Sequence, residues 1–416
     1  MDAINGADTA WVLVSCALVL LMTPGLALFY GGMVNSRNVL STFMHSFIAL
    51  GVMTIQWVVI GYSLAFAPDV GGGWLGGLDY VLLHGVAHDA VRDGTTIPHI
   101  LFMAFQMMFA IITPALISGA IAERMKFRSY LVFIVIWATL VYDPLCHWVW
   151  GPDGWLGARG ALDFAGGTVV HLSSGAGALV AAIVVGKRKR PSPPHNLTMT
   201  LTGAGLLWFG WFGFNAGSAL SSGASAALAL VNTHIAAGAA ACSWVLAERV
   251  KHGKATALGA ASGLVAGLVV ITPAAGFVTP QSALIMGLVA GPVCYGAVLL
   301  KNRFGYDDAL DAFGVHGVGG FLGAVLTGVF AVAALTPSGD AKGLLEGETH
   351  LFIENVLGVV VAAIYSGVVT FVVLKVIEKT MGLRVEDEQE FEGLDTALHG
   401  EKGYLFGGAG AMATEE

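Results

Sequence analysis

Two histidines lie deep within apolar stretches, each downstream of an aspartate in a glycine-rich setting: Asp163-Phe-Ala-Gly-Gly-Thr-Val-Val-His171 and Asp311-Ala-Phe-Gly-Val-His316-Gly-Val-Gly-Gly. Imidazole ordinarily titrates near neutrality, so it passes a proton with little driving force. An ionisable side chain inside membrane hydrocarbon costs about 3 kcal/mol or more and usually marks a transport path. A lone membrane histidine is as often a satisfied packing residue; two in matching contexts point to proton handling in a pore.

The elements that must position them follow from composition. The chain has 416 residues, 56% hydrophobic and 12% charged, with a mean hydropathy of +0.75. A soluble protein carries roughly a quarter charged residues. Apolar runs of about 20 residues, each enough to cross a bilayer, recur along the chain. Cys16, Cys146, Cys242 and Cys294 form no C-x-x-C pair, so neither a disulfide framework nor a zinc site is indicated. The net charge of −8 gives no sign of nucleic-acid binding. The first residues, Met1-Asp2-Ala3-Ile4-Asn5, lack the basic start of a signal peptide, so the first apolar run is expected to serve as its own insertion signal or to begin a mature chain.

Eleven spans are expected, near 9–33, 39–66, 98–121, 129–150, 163–186, 197–220, 225–247, 256–276, 282–300, 308–335 and 351–377. Arg37, Arg124, Lys126, Arg128, the run Lys187-Arg188-Lys189-Arg190, Arg249, Lys251, Lys254, Lys301 and Arg303 fall on one side. Only Arg92, Arg159 and Lys342 fall on the other. The positive-inside rule then puts the N-terminus outside and the C-terminus in the cytoplasm. Asp163 and Asp311 open the fifth and tenth spans. Five spans per half is odd, so related halves would lie inverted across the membrane, with a site between them near the midplane. The reading is an all-α polytopic membrane protein: residues 1–186 and 187–336 as inverted five-helix halves, 337–378 as a last transmembrane helix, and 379–416 as a soluble, partly disordered cytoplasmic tail.

The chain resembles the ammonium transporter family (the Amt, Mep and Rh proteins), most closely its bacterial Amt branch. The resemblance rests on Met22-Thr-Pro-Gly-Leu-Ala-Leu-Phe-Tyr-Gly-Gly-Met33, Gly119-Ala-Ile-Ala-Glu-Arg124 and His147-Trp-Val-Trp-Gly151. Asp163 to His171, Trp208-Phe-Gly-Trp-Phe-Gly-Phe-Asn-Ala-Gly-Ser218, Asp307 to Gly320 and Gly393-Leu-Asp-Thr-Ala-Leu-His-Gly400 complete it.

The resemblance implies that His171 and His316 are a pore pair relaying protons beside ammonia. It places ammonium recruitment at Trp150, Phe109 and Ser218, with Phe105 close by. It makes Phe109 and Phe214 a stacked gate. Aromatic faces attract a cation by about 0.5–2 kcal/mol, and a dry constriction opposes hydrated ions. Asp163 can cap its helix and by resemblance also supports transport; Asp311 is expected to act likewise at the other end. Trp148, Trp155, Trp208 and Trp211 read as packing or an interfacial belt, and His45 and His234 as helix-packing or interfacial. Asp143 has no assigned role. The implied partners are ammonium and ammonia, the lipid bilayer, two further copies in a homotrimer, and a PII-type signalling protein at the tail; no cofactor or metal is implied. The implied activity is electrogenic ammonium transport at the cell (inner) membrane. Alternatives are an ammonium sensor with little flux, or electroneutral Rh-like ammonia conduction. A membrane-embedded hydrolase would need a nucleophile or metal cluster, and none is read.

Overall fold

The structure, a computed structural model, describes residues 4–404. Expectations for Met1–Ala3 and for the Gly-Ala-rich C-terminal end lie outside these residues. The described residues are helical, with only isolated β-bridges besides. Ten helices are long and apolar enough to cross a bilayer. They are α1 Gly6–Met33, α2 Val39–Phe66, α3 His99–Ile121, α4 Phe127–Ala158, α5 Gly167–Val185, α6 Leu197–Gly217, α7 Ala224–His252, α9 Pro280–Phe304, α10 Phe313–Phe330 and α11 His350–Met381. The fifteen-residue α8, Ala257–Ile271, is apolar but shorter.

Local chemistry sets many of the starts. Asn5 accepts from the N–H groups of Ala7 and Asp8, Asn196 from Met199, Thr256 from Gly259 and Thr279 from Ser282. Each takes up donors that the first helical turn leaves unpaired. Glycine governs the close packing of α1 on α6. Gly203, Gly210 and Gly217 recur every seven residues on α6, and a Cβ on any of them would run into α1 atoms: Phe29 and Gly25, Met22 and Leu18, or Ser15. Such contacts hold membrane helices together where lipid removes the water-driven term. On the outside, α11 exposes Ile364, Val368, Phe371, Val372 and Val376, an apolar face suited to hydrocarbon.

At one end the polar loops lock together. Arg188 makes a bidentate pair with Asp307 (2.9 and 2.8 Å) and reaches Glu123 (2.8 Å). Glu123 also accepts from the Asn35 N–H and the Asn38 side chain, both at 2.8 Å. Burial alone would raise the Asp307 carboxyl, but hydrogen bonds and charge from Arg188 outweigh it and bring it down to about 2. Arg124, fully enclosed, donates to the carbonyls of Ala120, Ala122, Gly186 and Asp307. Segments far apart in sequence, around residues 35–38, 120–124, 186–188 and 307, are thus riveted together.

Of the tail read as partly disordered, the structure describes the residues up to 404. Residues Asp387–Glu392 (α12) and Leu394–His399 (α13) are helical and docked. Asp395 accepts from the Ser41 N–H at 2.8 Å, and Leu394 N–H donates to Asn38 at 2.7 Å. The acidic run was legible as solvated; the partners offered by Asn38 and the Ser41 N–H were not.

Candidate functional site

Helices α5 and α10 both begin irregularly. Residues Gly167–Leu172 and Phe313–Gly317 form π-helical turns, and these turns carry His171 and His316. Such wide turns recur at functional sites. Glycine lets the two turns touch. A Cβ at Gly175 would meet the Gly317 backbone, and one at Gly320 would meet Gly167 and Leu172. Each glycine stands four residues after one histidine and presses on the turn of the other.

The imidazoles consequently adjoin. His171 Nδ1 and His316 Nδ1 are 3.3 Å apart, with ring centroids 5.3 Å apart and planes within 19°. Both residues are buried. A single hydrogen fits between two facing ring nitrogens, so one Nδ1 donates and the other accepts. His171 Nε2 makes no hydrogen bond within the protein. The two rings line a narrow cavity whose other walls are apolar, including Leu26, Ile112, Leu207 and Val265.

Trp211, read from sequence as packing, also lines this cavity. Its ring stacks 5.3 Å from His171, fixed by a 2.9 Å hydrogen bond from Nε1 to Thr272. The signal was present: Leu207, Trp211, Phe214 and Ser218 recur at helical spacing, and all four line cavities. Trp208 faces elsewhere, stacked on His234. Trp148 and Trp155 cluster with Trp74.

A second cavity, about 500 Å³ and wider open, is lined by Phe66, Phe102, Gln106, Phe109, Trp150, Phe164, Ser218 and Leu220. Phe109 belongs to this cavity and Phe214 to the first; their rings, 4.3 Å apart, form the partition. Trp150 meets Phe109 edge-on at 6.1 Å, and its Nε1 donates to the Asp163 carbonyl at 2.7 Å. Ser218 Oγ gives its hydrogen to the Phe214 carbonyl at 2.8 Å, which leaves its lone pairs to accept from a ligand. Gln106, missed in the sequence, turns a buried Oε1 without a partner into the same region. Phe105, expected close by, packs against Phe109 edge-on at 5.0 Å and close to Gly217, and is not among the residues lining this cavity.

Asp163 caps α5 with both oxygens. Oδ1 accepts from Gly166 and Gly167 and Oδ2 from Thr168 and Val169, at 2.7–3.1 Å. The cap expected of Asp311 is made instead by Asp308, which accepts from Ala312 at 3.1 Å and Phe313 at 2.8 Å. Asp311 has a left-handed backbone, φ 61°, and its carboxylate turns away to pair with Lys301. Asp143, unassigned in the sequence, is fully buried on α4 and accepts from Gln56 at 2.7 Å. His45 is buried against Tyr130, 4.4 Å between centroids, in agreement with a packing role. Among the described residues no group of three or more His, Cys, Asp or Glu side chains is arranged to hold a metal ion.

The family model described as Ammonium Transporter Family matches residues 10–404. An ammonium transporter of Bacillus subtilis is 53% identical over 400 residues, covering 95% of this chain and 98% of the relative. The crystal structure of Saccharomyces cerevisiae Mep2 superposes with a TM-score of 0.88 at 37% identity, over 92% of this chain and 88% of that one. A structure named Sensor Amt Protein gives a TM-score of 0.86 at 30% identity, over 94% and 98% of the two chains.

Proposed function

The chain belongs to the ammonium transporter family, a family of membrane transporters rather than enzymes, and from that premise we propose that it carries ammonium across a cell membrane by separating ammonia from its proton. The observation that supports this reading is the pair of cavities divided by Phe109 and Phe214, with two adjoining imidazoles on the narrow side.

In this proposal ammonium enters the wider cavity. The faces of Trp150 and Phe109 attract the cation, and the Ser218 oxygen accepts one N–H. Alkali ions find aromatic attraction there but have no hydrogen to donate to that oxygen. The stacked rings are a dry step that a hydrated ion does not cross. Ammonium gives up its proton at this step, and ammonia passes along the apolar cavity. The proton travels through His171 and His316, whose shared hydrogen bond accepts it on one side and releases it on the other. Asp163 holds both the α5 turn and the Trp150 indole, so its place in the cycle is positional as well as electrostatic.

The accompanying arrangement is part of the same proposal. The halves 1–186 and 187–336 are inverted repeats, with the wide cavity outside and the basic end in the cytoplasm. Three copies assemble in the inner membrane, and a PII-type protein meets the basic face. The test is current from proteoliposomes given an ammonium pulse. Wild type is expected to pass current, and a variant with His171→Leu and His316→Leu to pass none. Current persisting in that variant overturns the relay. Uptake without current in the wild type means electroneutral, Rh-like conduction instead.

The likeness to the sensor structure favours one second reading: a sensor that conducts little. Methylammonium uptake in cells lacking their own transporters separates the two; negligible uptake with intact folding selects the sensor.

A further inference from the structure

We propose that the cleft between the docked tail and the basic loops binds a phosphate-bearing anion. The cleft is open to solvent and lies away from the histidine cavity; its walls include Asn35, Arg37, Lys189, Arg190, Ser192 and Glu390. These residues come from three separate segments: the α1–α2 turn, the α5–α6 link and the tail helix α12.

The charges around it do not balance. Its lining carries three cations, Arg37, Lys189 and Arg190, against one carboxylate, Glu390, leaving two cations in excess among the wall residues. Glu390 is already satisfied: Arg384 binds one oxygen at 2.5 Å and the Lys189 N–H the other at 2.5 Å. Lys189 Nζ is taken by Asp387 at 2.8 Å. The remaining groups are donors. Arg37 uses one N–H on the Phe391 carbonyl at 3.0 Å. Arg190 lies 4.1 Å from the Phe391 ring centroid, a contact that takes up no hydrogen-bond acceptor. Ser192 Oγ is enclosed without a partner.

Two guanidinium forks and a hydroxyl around an excess of two positive charges suit a dianion with several oxygens, and phosphate matches the fork geometry bidentately. A cation or an apolar ligand would leave the same donors unpaired. A phosphate seated there touches the tail, the α1–α2 turn and the α5–α6 link. It therefore binds the docked tail better than an undocked one and shifts the tail toward docking. The phosphate can belong to a free diphosphate compound or to a phospholipid headgroup.

The test uses the purified full chain. Inorganic pyrophosphate is titrated by calorimetry in detergent, and bilayer discs of phosphatidylglycerol are compared with discs of phosphatidylcholine. Hydrogen exchange over residues 386–404 is read in each case. The expected result is slower tail exchange with pyrophosphate or with phosphatidylglycerol; a response confined to the discs assigns the phosphate to lipid. Arg190→Gln weakens the effect about tenfold, and Arg37→Gln with Arg190→Gln abolishes it, with melting temperatures unchanged. Lys379→Gln, an exposed cation outside the cleft, leaves binding as in wild type. No response to either phosphate source overturns the proposal. So does an equal loss in Lys379→Gln, or wild-type binding by the double variant.

Discussion

Asp308 stands to His316 as Asp163 stands to His171. Each carboxylate lies eight residues ahead of its imidazole and accepts N–H groups from the turn between them. The two rings therefore inherit their places from a matched pair of backbone anchors.

Asp308→Asn removes a charged acceptor from that anchor, whereas Asp311→Asn only breaks a pair with Lys301 at a left-handed position that Asn tolerates. The expected loss is about 1–2 kcal/mol for Asp308→Asn and under about 1 kcal/mol for Asp311→Asn. Thermal unfolding in detergent, with ammonium current alongside, checks the order. Equal effects would show that the anchor is not held by Asp308.

Gly175→Ala drives a methyl into the Gly317 backbone, so the two histidine turns must separate. Overpacking of this kind costs about 1–3 kcal/mol, and current should fall with it. Gly205→Ala is the control, since no atom lies within 4 Å of a Cβ there. Its helix should gain up to about 1 kcal/mol. Matching melting curves for the two variants would refute the close-contact argument.

The Arg188–Asp307 junction sets a pH limit. Asp307 is held at about 2 when folded, below the roughly 3.9 of an unfolded chain. A depressed carboxyl lends stability that is fully present above the unfolded value and disappears as pH falls through the folded one. Wild type should therefore lose stability between about pH 4 and 2 more steeply than Asp307→Asn does. Parallel curves over that window would remove Asp307 as the cause.

Much of this was legible in the chain. Composition and apolar run length predict the membrane helices, and the Asp163 to His171 spacing predicts a capped turn bearing an imidazole. The companion anchor was misread because Asp307, Asp308 and Asp311 crowd one short stretch. Their types are identical, and only the left-handed backbone at Asp311 decides which carboxylate turns inward. Counting the same eight positions back from His316 selects Asp308. Trp211 was recoverable from helical spacing with Phe214, whereas the packing of Phe105 against Phe109 depends on a contact with Gly217 across helices. The docking of the tail rests on the Arg37 carbonyl, the Ser41 N–H and the Asn38 side chain, and two of these three are backbone groups that carry no compositional signature.

The facing Nδ1 atoms of His171 and His316 have one more consequence. Whichever ring owns the shared hydrogen leaves its far nitrogen bare, and the other ring must then carry a hydrogen at its own far nitrogen. The couple has two mirror-image settings, and in the proposed relay a proton hopping through flips one into the other. A second hop in the same direction then has to wait until both rings swap back.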